Sequence, residues 1–310
     1  MKYKISLFSL LIINLLNAQS TVTVSNALEF LKAIGSNKTI YLKDGDYVLT
    51  NHVGDGSSNV TWEQEYDGGQ MRIDNVTNLK IVGKQNSRIL VDPQYTWVMK
   101  FVNCSNITLD TYTMGHTNGG YCIGGVVYLD SCKNVRLTNC RMFGSGTYGM
   151  GISNTSNVVL EKCDIFKCTY GLLQLNNSKD ILFTHSRFRE SGEFDLITIT
   201  DCINVHFKTC VFEKNNIVAN ESYYYETNYF FKLYSDYYYG DNLPPIKTYN
   251  ITVNNCVFRG NYTENFTDDY WNILKIGVNH FDNNSFTKPL PTAVKYEPIR
   301  FKAPEIITDY

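Results

Sequence analysis

The chain has 310 residues, with 28 Lys and Arg against 30 Asp and Glu and a formal net charge of −2. That balance, without a long basic run, excludes a nucleic-acid surface built on excess cations. Nine cysteines, 23 tyrosines and 17 phenylalanines leave open a disulfide framework, a sulfur-rich core or an aromatic ligand surface, and only their spacing separates these.

Met1-Lys2-Tyr3-Lys4, an apolar run from Ile5 to Leu16 and then Asn17-Ala18-Gln19 read as a secretory signal over residues 1–18, cut after Ala18. The run is too short for a membrane span, so the mature chain is expected in the periplasm or outside the cell, without a spanning segment. Ser25 is placed to cap a helix from Asn26 to Ile34, with Ala27, Leu28, Leu31 and Ile34 forming an apolar stripe. Residues 19–38 are therefore expected to be a helical cap on the N-terminal end of the domain.

From about residue 39 a phrase recurs, Asn or Asp followed by apolar, any, apolar. Its anchors are Asn78, Asn106, Asn134, Asn157, Asp180, Asn204 and Asn250, in steps of 28, 28, 23, 23, 24 and 46 residues. A period in this range marks a solenoid. Five residues before each anchor stand Ile73, Phe101, Leu129, Ile152, Leu175 and Ile199, and seven before stand Met71, Met99, Val127, Met150, Leu173 and Ile197. This is one apolar face at period two, so a strand precedes each anchor. A third strand comes after the anchor, with Met142, Ile165, Phe188, Phe212 and Phe258 eight residues on. Three strands in about 23 residues leave no room for helical crossovers, so equivalent strands stack in parallel. Asn75, Asn103, Ser131, Asn154, Asn177 and Asp201, three before the anchors, suit the corner between strands, because Asn and Asp tolerate left-handed backbone. The last step of 46 is either two coils or one coil enlarged by loops 214–228 and 235–248.

The repeated Asn-x-x-Asn-apolar-x-apolar pattern, as in Asn103-Cys104-Ser105-Asn106-Ile107-Thr108-Leu109, resembles that of the right-handed parallel β-helix proteins of the pectate lyase-like superfamily. The resemblance covers residues 39–260 and implies an all-β, right-handed parallel β-helix of three-strand coils. Residues 261–310, with Pro289, Pro291, Pro298 and Pro304, depart from the period and are expected to form an irregular C-terminal cap. The polygalacturonase motifs are absent as a set, so no catalytic residue carries over. Calcium enters only as an implication of the resemblance. Gly115-His116-Thr117 with Gly146-Thr147-Tyr148-Gly149 is more similar to uncharacterised exported members.

The cysteines keep the period of the coil: Cys140, Cys163, Cys210 and Cys256 share one inward column, and Cys104, Cys132 and Cys202 another. They are expected to be mostly free core residues, although stacked neighbours lie near the Cα separation that a disulfide allows. No CxxC pair or ligand-spaced histidine points to a metal site.

Loops 51–69, 114–124 and 214–228 leave the period just before the strand that precedes an anchor, which puts them on one edge of the solenoid. Their groups suit sugars. Trp62, Tyr121, Tyr223, Tyr224 and Tyr225, with Tyr128, can offer aromatic faces, and Glu63, Glu65 and Asp67 can accept hydroxyl hydrogens. Arg141, Asp164 and Arg187 share an outward column, as a surface ion-pair ladder or part of an anionic-sugar site. Arg187 or Arg189 could stabilise charge in an elimination with His116 near the base position; Glu190, Glu193, Asp195 and Asp164 are the carboxyl candidates for hydrolysis. The expectation is an exported protein directed at a polysaccharide or cell-surface glycan. It either cleaves an acidic polysaccharide as a lyase or glycoside hydrolase, or binds without cleaving.

Overall fold

A computed structural model describes residues 19–119, 123–217, 228–233, 248–263, 265–269 and 272–286. The chain winds as a right-handed parallel β-helix with three principal sheets. The ten-stranded anchor sheet holds the recurring phrase, including Thr77–Val82, Ser105–Asp110, Lys133–Thr138, Ser156–Glu161, Lys179–Thr184 and Ile203–Lys208. A nine-stranded short sheet comes next along the chain, with Thr113–His116, Arg141–Phe143, Asp164–Phe166, Arg187–Arg189 and Val211–Glu213. The nine-stranded lead sheet contains Gly69–Asp74, Met99–Val102, Val127–Asp130, Tyr148–Ser153, Gly171–Asn176 and Ile197–Thr200. All paired strands are parallel except Val60–Gln64, which folds back antiparallel on Gly69–Asp74.

The polar anchors have a backbone cause. Asn78, Asn106, Asn134, Asn157, Asp180, Asn204 and Asn250 all have φ between 55° and 59°, where a β-branched residue would be strained. Their amides also bond from coil to coil: Asn106 donates to Asn78 (2.9 Å), Asn134 to Asn106 (2.8 Å) and Asn157 to Asn134 (2.8 Å). A second run joins Asn250 to Asn204 (2.6 Å) and Asn204 to Asp180 (2.7 Å). The ladder is interrupted between Asn157 and Asp180, because an ionised carboxylate cannot donate to the Asn157 amide oxygen.

The inward columns close the core and its corners. Phe188, Phe212, Phe258 and Phe281 stack with centroids 5.1, 4.8 and 4.7 Å apart. Where the backbone turns out of a sheet, its N–H finds a side chain on the next coil. Cys163 N donates to Ser186 Oγ (3.1 Å), Cys168 N to Ser191 Oγ (3.0 Å) and Cys132 N to Thr155 Oγ1 (3.0 Å). The cysteines fill the same columns as these hydroxyl residues, and Cys163 and Cys168 each donate to the carbonyl two residues before (3.5 Å). The described cysteines are all buried and free. Burial pushes the Cys168 thiol up to about 11 and the Cys202 thiol up to about 12.

Several boundaries differ from the sequence expectation. Val205 pairs directly with Ile251, so the step of 46 is one enlarged coil. The helix α1 spans Ala27–Ala33, shorter than expected, and Asn26 caps it by accepting from Glu29 N at 2.9 Å. Ser25 instead receives Glu29, which accepts from its N–H and hydroxyl at 2.8 and 2.9 Å. Ser20–Val24 already pairs in register with Lys38–Leu42, so the anchor sheet begins before residue 39. The stack also continues past residue 260, with Leu274–Ile276, His280–Asp282 and Ser285–Phe286 pairing onto the coil before. It escaped the pattern because Ile273 stands in register where the preceding coil carries Asn250. The four prolines and residues 1–18 lie outside the described residues. Among those described, no helix is long and apolar enough to cross a membrane.

Candidate functional site

The expected ion-pair column exists and is closed by its own charges. Arg141, Asp164 and Arg187 are neighbours in the short sheet, with Phe166 opposite Arg189. Arg189 grips Asp164 through two bonds of 3.0 and 2.9 Å, reaches Glu190 at 2.6 Å and lies 4.3 Å above the Phe166 ring. Arg187 and Arg259 both pair with Glu213, and Arg141 stands 3.7 Å from Asp164. Arg189 is 7%, Asp164 5% and Glu213 1% exposed, so this is a buried charge lattice rather than a solvated surface ladder. Burial opposes the charge on Arg189, but Asp164 and Glu190 raise its pKa further; burial likewise opposes Glu213, yet Arg259 and Arg187 hold its pKa down. Arg187 and Arg189 are thus committed to protein carboxylates.

His116, expected on an exposed loop, ends the short-sheet strand Thr113–His116 and is 2% exposed. Its Nδ1 lies 3.0 Å from Pro93 O and its Nε2 2.9 Å from Gly125 O. Asp195 accepts from Tyr229 N at 2.8 Å and pairs with Lys232 at 2.9 Å. Trp62 packs against the core, with its indole N–H bonded to Asp55 O at 2.8 Å. Tyr121, Tyr223, Tyr224 and Tyr225 lie outside the described residues.

Two of the hollows among the described residues gather candidate side chains, one at the corner between the short and lead sheets and the other on the lead sheet. One, of about 390 Å3, is lined by Glu190, Glu193, Lys167, Lys214, Thr169 and Asn216 among others. Burial raises the pKa of Glu193.

The other, of about 430 Å3, is lined by Tyr95, Trp97, Tyr128 and Tyr148, with Glu65, Gln70, Lys100, Asp130, Thr147 and Gln174. Its floor is one outward column of the lead sheet, where Lys100, Tyr128, Gly151 and Gln174 stand in register. Gly151 leaves a gap in that column. A Cβ there would come within 2.5 Å of Tyr128 and 2.9 Å of Trp97, and one on Gly125 within 2.3 Å of the Trp97 ring. The two glycines therefore let Trp97 and Tyr128 lie close to the backbone, with centroids 4.9 Å apart. Trp97 N donates to Gln70 at 2.8 Å, Tyr128 meets Ser153 at 2.9 Å, and Lys100 pairs with Glu63 at 2.7 Å. Asp67 holds the adjoining turn by accepting from Tyr95 N at 3.2 Å.

Among the described residues, Tyr128 is the one expected binding residue that lines this groove, joined by Glu65 from the expected hydroxyl acceptors. Trp97, Tyr95, Tyr148, Lys100 and Gln174 were not anticipated. The usable signal was the outward column itself, in which a glycine comes after an aromatic residue.

A solved pectate lyase from Paenibacillus sp. 0602 superposes with a TM-score of 0.53 at 11% identity, covering 95% of this chain and 87% of that one. The chain has the fold of a pectate lyase. At that identity the likeness is one of fold alone. Pectate lyases from Bacillus sp. N165, in complex with trigalacturonate, and from Xanthomonas campestris align at TM-scores of 0.49 and 0.48. Their identities are 13% and 11%, over 94% and 88% of this chain and 88% and 81% of theirs. No protein-family model matches the chain, and no curated protein does.

The calcium that this pectate lyase-like fold implies finds no carboxylate cluster to hold it among the described residues. Among the described residues no three His, Cys, Asp or Glu side chains are grouped to hold a metal ion, and Asp164 and Glu213 are already held by arginines.

Proposed function

We propose that this protein binds a glycan in the aromatic groove of the lead sheet, and that it does so after export. The observation that carries the reading is the convergence of Trp97, Tyr128, Tyr95 and Tyr148 on one open hollow edged by Lys100, Gln174, Asp130 and Glu65. Aromatic faces cover the apolar faces of pyranose rings, while amide, ammonium and carboxylate groups at the rim exchange hydrogen bonds with hydroxyls. The rigid sheet beneath supports pre-organisation, which lowers the ordering cost of binding. The fold shared with a pectate lyase agrees with a carbohydrate ligand. Export rests on the segment 1–18.

Elimination is not favoured, because His116 is buried and Arg187 and Arg189 are paired. Hydrolysis is the second reading, favoured by Glu193, whose carboxyl is raised by burial beside Glu190 in the smaller hollow. Glycan affinity electrophoresis with a polysaccharide panel tests the first: Trp97→Ala should lose at least about tenfold in affinity with its circular dichroism unchanged. A reducing-sugar assay tests the second, in which Glu193→Gln should abolish product while leaving binding intact. Absence of binding to the whole panel would remove the first reading.

A further inference from the structure

The charge at the aromatic groove is opposite to what a uronate polymer requires. Its lining includes two carboxylates, Glu65 and Asp130, and one cation, Lys100. That cation is already paired with Glu63 at 2.7 Å, and Glu63 in turn accepts from Arg72 at 3.0 Å and from Gln70 at 2.7 Å. Arg72 is also taken, with its Nε 2.7 Å from Asp74. Counting the whole network leaves Lys100 and Arg72 against Glu63, Glu65, Asp74 and Asp130, an excess of two negative charges.

The two lining carboxylates are differently placed from those in the short sheet. Asp130 accepts from Ser131 and Asn154, both at 3.0 Å and both on Oδ1, and neither Asp130 nor Glu65 has an arginine or lysine partner among the described residues. A carboxylated sugar would meet these charges with no unpaired cation in the described lining to receive it. An ammonium would be drawn to them and to the faces of Trp97 and Tyr128, since aromatic rings attract cations by their quadrupole. Lys100 Nζ itself lies 6.0 Å from the centroid of Tyr128.

We infer that the groove selects a saccharide bearing free amines and discriminates against uronates. This rests on the glycan-binding reading above and adds the chemical class of the ligand. Glu65 and Asp130 are the specificity residues; Trp97 and Tyr128 supply the platform.

Isothermal titration of the full chain at pH 6 tests it, with a tetramer of β-linked glucosamine, its N-acetylated counterpart and tetragalacturonate. The amine tetramer should bind about tenfold more tightly than the acetylated one, with tetragalacturonate weakest and the preference shrinking as salt is raised. The double variant Glu65→Gln/Asp130→Asn should bring the amine and acetylated tetramers to similar affinity, because the amine tetramer loses far more than the acetylated one. Tetragalacturonate binding as well as or better than the amine tetramer overturns the inference, as does an order that the double variant does not alter. In those cases sensitivity to Trp97→Ala would keep the groove as a glycan site. Absence of binding by all three, together with silence on the wider panel, would instead remove the glycan reading and this inference with it.

Discussion

His116 Nε2 lies 2.9 Å from the carbonyl oxygen of Gly125, the glycine over which the Trp97 ring lies. The buried histidine therefore ties the short sheet to the backbone that seats the groove's main aromatic face. Replacing it with Ala should cost about 2 kcal/mol or more, since buried backbone acceptors lose their donor, and should weaken glycan binding without touching the groove. Chemical denaturation and titration of the same variant check both effects.

The same ring gives a pH dependence. Burial lowers the His116 pKa, opposed by the carbonyls of Gly125 and Pro93 and by Asp67. A histidine whose folded pKa lies below the unfolded value of about 6.5 binds fewer protons when folded, so its stabilisation is complete above that value and declines as pH falls through the folded pKa. Thermal unfolding of the parent and His116→Gln from pH 7.5 to 5 should show a midpoint difference that narrows towards low pH. A constant difference would count against His116 as the titrating group.

Asp180 interrupts the amide ladder, and Asp180→Asn should join its two halves. One added side-chain hydrogen bond, with one carboxylate fewer, is worth about 1 kcal/mol. A rise in the thermal midpoint is expected, whereas Asn134→Leu, which removes donor and acceptor and places a branched side chain at φ 57°, should lower it.

The charge lattice predicts unequal costs within one column. Asp164→Ala leaves Arg189 buried with only Glu190, at a cost of about 3–5 kcal/mol. Arg141→Ala, at a half-exposed guanidinium 3.7 Å from Asp164, should cost below about 1 kcal/mol. Equal losses in denaturant titration would contradict the assignment of Arg189 as the principal partner.

Gly151→Ala should leave the strand paired and displace Tyr128 and Trp97, because the new methyl group would lie 2.5 and 2.9 Å from their rings. Affinity for the glycan should fall at least about tenfold, with altered tryptophan fluorescence. An unchanged spectrum and affinity would place the ligand elsewhere.

Much of the architecture is legible in the chain because it is local and repeated. A left-handed φ at Asn106 or Asn134 demands a particular residue type wherever it falls, and alternation at Met150 and Ile152 states which side is buried. The same logic shows Cys163 and Ser186 as occupants of one corner, bonded to each other across coils. It failed at Ile273, where one residue broke the phrase and the coil continued regardless.

The groove and the pairing of charges belong to another class of information. An outward column containing Arg141, Asp164 and Arg187 can be read from spacing, but whether Asp164 meets Arg141 or Arg189 depends on how side chains lean between coils, and Arg189 wins with two short bonds. Trp97, Tyr128, Tyr148 and Glu65 come from separate coils and a hairpin, and although the period sets the register of Trp97 with Tyr148 and of Tyr128 with Gly151, it does not say that these side chains close around one hollow. By itself, the sequence determined the solenoid, its three faces and the free cysteine columns, since each arises from backbone conformation within a single repeat. Only the tertiary structure decided that His116 is buried, that the arginines are satisfied and that the aromatic hollow lies on the lead sheet, because these depend on contacts between coils whose irregular loops obey no period.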